Sequence, residues 1–200
     1  MPRTVRIPVE PASHEEFAPF GQLISEQDAA PAFHGDGLRS WQLANDVDGT
    51  TELMFIRYEY KPMIFSTIER HFNETQCFIP LAGAAMVMVV APRTDETDRS
   101  VLPGPESLRA FLVEGSSGVL LWKGVWHALN RFPVQPPGAG FALLTATETQ
   151  SELERQSANS SAGEGTAGHR RHSAIVRRSL PIRFFRRAAP TDLHCPRPGC

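Results

Sequence analysis

The stretch from Glu52 to Ala146 is a succession of short apolar runs, each stopped by Gly, Pro or a polar turn. The run ELMFIRYEY at Glu52–Tyr60 shows the pattern: Leu53, Phe55, Arg57 and Glu59 fall on one face, Met54, Ile56, Tyr58 and Tyr60 on the other. A period of two is a strand period, and here it suits a sheet covered on one side and partly covered on the other. Similar runs occupy Leu38–Leu43, Ile64–His71, Gln76–Leu81, Ala84–Ala91, Gly118–Trp122, Trp126–Asn130 and Phe141–Ala146. Pro62, Pro80, Gly83, the PRTDETD loop, Gly115, Gly124 and QPPGAG punctuate them. There is no internal repeat and no alternation of strand with helix. Many short strands joined by regular turns predict a closed or double-sheet antiparallel fold.

Helix is expected only in short pieces. SHEE at Ser13–Glu16 is a capping box, in which the serine oxygen and the glutamate carboxylate satisfy the first backbone N–H groups. It predicts a short helix through Glu16, Phe17 and Phe20 that Gly21 ends, followed by a short strand at Gln22–Ser25 and a loop over Glu26–Gly37. A helical turn is expected around Pro105–Leu112. The chain of 200 residues, 41% hydrophobic and 21% charged, is long enough for one domain with a real core. Its longest apolar stretch, Leu81–Pro92, is too short to span a bilayer, and MPRTVRIPVEP has no apolar leader core. Cys77, Cys195 and Cys200 have neither zinc spacing nor a disulfide framework, so the expectation is a cytoplasmic protein without membrane or nucleic-acid partners.

Charge divides the chain. From residue 157 onward there are eight Arg, no Lys and two acids, a net of +6, whereas the 12 basic and 20 acidic residues before it give −8. The division predicts a folded domain over 1–156 and a flexible, disordered tail over 157–200. SANSSAGEGTAG reads as a spacer, and the Arg- and Pro-rich segment after it has no convincing period. A basic arm, an appendage without function and a frameshifted product are three readings of the tail. The absence of Lys beside eight Arg favours the last two.

Two segments carry chemistry. Glu69 and His71 lie two apart in a strand and so face one side; after a turn Gln76 can return to the same space. Gly124-Val125-Trp126-His127 offers a second imidazole from a distant strand. Taken alone, either histidine could be an ordinary strand residue. Trp122 and Trp126 read as barrel wall, Phe78, Ile79, Leu81 and the MVMVV run as core, and Cys77 as buried and inert. His34 could reach the site from its loop. His169, His172 and His194 resemble neither ligands nor bases.

The spacing Glu69-x-His71-(x)4-Gln76-(x)6-Gly83 resembles the first cupin motif, with Glu in place of the first histidine and Gln in place of the glutamate. Gly124-x-x-His127 echoes the second motif. The wording IERHFNETQCFIPLAG, then VVA, LRAF and GVWH, is similar to the ureidoglycolate lyases over roughly Val9 to Leu153. Phe72 stands where that family usually has Pro, and Ala128-Leu129-Asn130 where Pro often follows the second histidine. The resemblance implies an all-β cupin barrel, or jelly roll, with one or two short helices. It also implies a homodimer acting on a small molecule, cleaving ureidoglycolate to glyoxylate and urea in allantoin and purine nitrogen catabolism.

Such a lysis needs a base for the hydroxyl proton, an acid for the leaving nitrogen and a cation for the carboxylate. His71 and His127 have the intrinsic pKa for proton transfer, and Glu69 could orient His71 or act as the base. Gln76 offers donors and an acceptor to the urea end, and Arg57 or Lys123 could clamp the carboxylate. Glu69, His71, Gln76 and His127 could instead hold a divalent metal, nickel or zinc being suited to imidazole. Two other functions compete: a non-catalytic cupin binding a small carboxylate as a sensor or partner module, and a metal-dependent isomerase or dioxygenase.

Overall fold

The MVMVVA run forms a strand in which every side chain is buried, because it is covered on both faces. Met86, Met88 and Val90 point into one apolar core and Val87, Val89 and Ala91 into another. A strand covered on both sides has no polar parity left, which is why this run reads as continuous rather than alternating. The structure is a computed structural model. It describes residues 5–98, 101–147 and 149, together with the backbone of Ala174–Arg186.

In chain order the elements are β1 (Arg6–Pro11), α1 (His14–Phe17), β2 (Gly21–Ile24), β3 (Phe33–Gly35), β4 (Leu38–Ser40), β5 (Thr51–Glu59), β6 (Ile64–Arg70) and β7 (Gln76–Pro80). They continue with β8 (Met86–Ala91), a 3-10 turn (Pro105–Ser107), β9 (Arg109–Val113), β10 (Gly118–Leu121), β11 (Trp126–Ala128), β12 (Phe132–Pro133), β13 (Gly138–Ala146) and β14 (Ala174–Arg186). One antiparallel sheet has the order β2-β10-β7-β13-β5. The other runs β11-β6-β14-β1-β9-β8-β12, and β11 also pairs with β8, so its strands close on themselves. The core between the sheets holds Phe17, Phe78, Met88, Phe111, Leu121 and Phe141 among others. The expected mainly-β, double-sheet barrel is what the chain forms.

Most departures are local. The helix is a single turn: Ser13 Oγ accepts from the Glu16 N–H at 3.2 Å, but the Glu16 carboxylate turns away to Arg109 Nη2 at 2.6 Å. Arg109 also grips Glu10 through Nε and Nη2 at 2.7 Å each, tying β9 to β1 and α1. Within Pro105–Leu112 the expected helical turn forms as the 3-10 turn at Pro105–Ser107. The RAFLV segment that follows forms β9, which pairs with β8 and buries Ala110, Phe111 and Val113.

The tail also meets the sheet. Its segment Ala174–Arg186 lies as a strand between β1 (parallel) and β6 (antiparallel), with a register shift between Arg177 and Ile182. Without it those two strands would present unpaired backbone groups, and an open edge of that kind recruits any extended segment. The spacer, His169, His172, His194, Cys195 and Cys200 lie outside the described residues.

On the outer face of the five-stranded sheet the alternation of β5 is fully expressed: Leu53 and Phe55 are 70% and 69% exposed, while Met54, Ile56 and Tyr58 pack against the inner core. Gly21 makes a close backbone approach between strands, since a Cβ there would lie 1.9 Å from the carbonyl oxygen of Leu120 on the neighbouring strand. Replacing it must push β2 away from β10. Gly21→Ala is expected to cost about 1–3 kcal/mol, the usual range for overpacking, read as a lower midpoint in urea unfolding; an unchanged midpoint would mean that β2 sits further out.

Candidate active site

Three neighbouring strands set the site. Val90 of β8 lies opposite His127 of β11, which lies opposite Glu69 of β6. Side chains in register on adjacent strands share a face, and Val90 belongs to the core between the sheets. Glu69 and His127 therefore project into the barrel interior. His71 follows β6 at the same parity as Glu69 and joins them.

The geometry is tight. Glu69 Oε1 lies 3.3 Å from His127 Nε2 and 3.7 Å from His71 Nε2, and the two imidazole rings are 5.1 Å apart. All three residues are buried, and one donor atom from each falls within 4.8 Å of the others. A short link holds the two motif segments together: Gly124, at φ +77°, donates its N–H to the His71 carbonyl at 2.6 Å. That positive φ is costly for any residue with a Cβ, which is the reason for glycine before Val-Trp-His.

Electrostatics fix the protonation states. Burial opposes ionisation of Glu69, yet hydrogen bonding and charge interaction with His127 and His71 outweigh it and hold its carboxyl well below the usual range. Burial pushes His127 down to about 4, against the opposing pull of Glu69 and with further help from the Arg131 cation. At neutral pH the cluster is therefore a carboxylate beside a neutral His127. His127 Nδ1 lies 3.2 Å from the Val125 carbonyl, and the tautomer that donates there turns the Nε2 lone pair toward Glu69, where a cation could take it. Two ionised or neutral donors of this kind, with the far ring nitrogen anchored on a backbone carbonyl, are what a divalent cation requires. The Glu69, His71 and His127 group could therefore bind a metal ion.

Other residues singled out from sequence take different places. Gln76 is buried, with Nε2 donating to Thr145 Oγ1 at 3.5 Å and Oε1 without a partner. Thr145 in turn donates to the buried Glu74 at 3.0 Å. Lys123 is held by Asp46 at 2.9 Å and Asp48 at 3.2 Å. Arg57 lies outside the cluster: the period of β5 sends it to the exposed face with Leu53 and Phe55, away from Tyr58. His34 sits in the exposed β3–β4 hairpin. Arg70 points away from Glu69, as expected, and its guanidinium bonds to Thr94 and Asp95 while stacking on Trp126 and Phe72. Trp126 packs into the second core and Trp122 against the first. Cys77 is buried, its thiol pushed up to about 11 by burial, and so inert at neutral pH.

Sequence reasoning missed two inward groups. Tyr58 lies in the core beside Phe141, its hydroxyl pushed up by burial and so kept protonated. Arg131 is fully buried with its guanidinium 3.8 Å from the Phe78 ring centroid. No local signal marks Arg131, since β11 ends at Ala128 and a bend at Leu129 breaks the strand parity before it.

Fold and site together define a cupin-class barrel with an interior carboxylate–imidazole centre. Comparison with known proteins makes the assignment specific. Residues 4–162 match the family model described as ureidoglycolate lyase, and the chain belongs to that family. It is 37% identical over 128 residues to the ureidoglycolate lyase of Pseudomonas savastanoi pv. phaseolicola, covering 60% of this chain and 71% of that one. The Azotobacter vinelandii ureidoglycolate lyase is 33% identical over 128 residues, 60% and 73% of the two chains. That of Pseudomonas aeruginosa is 34% identical over 133 residues, 62% and 74%.

The lowered pKa of His127 makes folding pH-dependent. In the fold the neutral imidazole is favoured, whereas the unfolded chain takes up a proton near 6.5. The stabilisation is therefore whole above about 6.5 and is lost as pH falls toward about 4, a difference of roughly 3 kcal/mol for the 2.5-unit gap. Glu69, with its pKa also lowered, adds a further loss on the acid side of its unfolded value. Chelator-treated protein should show a steadily falling urea midpoint between pH 7 and 4.5, and His127→Gln should flatten that slope. A slope equal in both proteins would remove His127 as its source.

Proposed function

We propose that this chain cleaves ureidoglycolate to glyoxylate and urea, and that Glu69, His71 and His127 carry the reaction. The observation behind the assignment is the buried cluster itself, on the E-R-H and V-W-H segments that this family shares in wording. Neither the sensor module nor the isomerase or dioxygenase is favoured by any relative found.

The substrate carbon bears a hydroxyl, a carboxylate and a ureido nitrogen. The hydroxyl proton leaves, the oxygen lone pair closes the new C=O bond, and the C–N electron pair departs with nitrogen, which takes a proton. Carbon becomes the aldehyde of glyoxylate, and the nitrogen leaves in urea. With a pKa of about 4, His127 is a weak proton acceptor at neutral pH, more than two units below free imidazole. That weakness favours a ligand role for the cluster over a proton-carrying one. Its donor set fits a divalent cation, nickel or zinc, held by Glu69, His71 and His127. When bound, such an ion polarises the hydroxyl and lowers its pKa. Gln76 presents its unpartnered Oε1 to a ureido N–H, and Tyr58, kept protonated, supplies an O–H donor within the same interior.

A metal-free reading keeps the same residues. His127 Nε2 takes the hydroxyl proton, Glu69 steadies the imidazolium, and the proton passes to the leaving nitrogen. The exposed apolar side chains Leu53 and Phe55 on the edge strand β5 support a homodimer. Among the described residues no helix is long and apolar enough to cross a membrane. A cytoplasmic place fits the reduced, buried Cys77.

A coupled glyoxylate assay on the full chain, with and without chelator, tests the assignment. Turnover is expected to fall with chelator, to return with nickel or zinc, and to drop about 10²–10⁴-fold in His127→Ala. Turnover indifferent to chelator would make the cluster a proton relay. No glyoxylate above the spontaneous rate, under any loading, would end the lyase reading.

A further inference from the structure

We propose that Arg131 is the residue that receives the carboxylate of the substrate. Arg131 is 1% exposed, and Phe78, the ring its guanidinium stacks on, belongs to the core between the two sheets. Its one hydrogen bond among the described residues runs from Nη1 to the Ala128 carbonyl. The Nε–H is buried with no acceptor. Nε and Nη2 form the side-on edge of the guanidinium, the edge that pairs with both oxygens of a planar carboxylate.

A buried guanidinium that spends one donor of five is costly, and such a group is normally satisfied by something. Its bond to the carbonyl of Ala128, the residue after His127, and its stacking on Phe78 of the inner core put it on the site's side of the barrel, where Glu69, His127 and Tyr58 feel its charge. The other cations are spent or elsewhere. Lys123 is shared between Asp46 and Asp48, Arg70 is bonded on the far side of β6, and Arg57 is exposed on the outer face. Phe78 covers one face of the Arg131 plane, so a ligand reaches its edge and is held in the plane of the guanidinium. This fixes the ligand's orientation as well as its charge. Choosing a carboxylate as occupant rests on the lyase reading, but its recognition by Arg131 can be measured without turnover.

Oxamate, a carboxylate that the reaction cannot consume, is titrated calorimetrically into the full-length protein, before and after chelator treatment. Binding is expected to weaken about 10-fold in Arg131→Lys and about 10²-fold in Arg131→Met, as for loss of a charge-assisted pair. In the unmodified protein the Arg131 Nε–H resonance should move downfield as oxamate is added, and this readout survives if Arg131→Met fails to fold. For ureidoglycolate itself, Arg131→Lys should raise KM more than it lowers kcat. Wild-type affinity in a folded Arg131→Met, an Nε–H resonance that stays put while oxamate binds, binding that follows metal content alone, or no oxamate binding would each overturn the assignment. A protein that binds oxamate through Arg131 yet makes no glyoxylate would sink the lyase reading and leave this one standing.

Discussion

A strand of three residues, Trp126–Ala128, is bonded on both sides, to β6 and to β8, and the rest of the molecule depends on that pairing. It closes the larger sheet on itself and sets Val90, His127 and Glu69 in one row. A slip of one residue would exchange faces, sending His127 into the second core and Trp126 into the site. Trp126 prevents it. The indole is fully buried, its Nε1–H donates to Thr94 Oγ1 at 3.0 Å, and the Arg70 guanidinium lies 4.5 Å from its ring centroid. Since Arg70 and Trp126 take one parity of their strands, Glu69 and His127 are left with the other. The aromatic and basic residues between the ionisable ones thus act as the register lock for the site.

This arrangement explains which parts of the molecule can be read from sequence. Strand periods survive in β5 because one of its faces stays open, and the face assignment of all its side chains follows. The Glu69–His71 pair is equally legible, since residues two apart in a strand must share a side. What could not be read depends on contacts distant in sequence. RAFLV joins a sheet because β8 offers it an edge and two cores to fill, not because of its own pattern. The Glu16 carboxylate leaves its capping position because Arg109, on another strand, attracts it. Lys123 is claimed by Asp46 and Asp48 from a loop that nothing local links to it. Arg57 was counted as a clamp by charge alone, although its parity already put it on the face of Leu53 and Phe55.

Arg131 shows the opposite error, a residue passed over because charged side chains are seldom buried. Its burial becomes intelligible through the charge of the interior. Glu69 and Arg131, both buried, carry one charge each, of opposite sign, and His127 beside Glu69 stays neutral. The two charges compensate at a distance without forming a pair, so each keeps donors or acceptors for something else. A cation taken up at Glu69, His71 and His127 would leave the interior with an excess of positive charge, and an anionic substrate would relieve it. Each binding event would then favour the other, and a neutral analogue lacking the carboxylate would have to enter a positively charged, desolvated space with nothing to offset it. On this view selectivity for a small hydroxy acid is set less by the shape of the barrel than by the separation of Arg131 from Glu69, because a direct ion pair between them would leave neither a metal site nor an anion site.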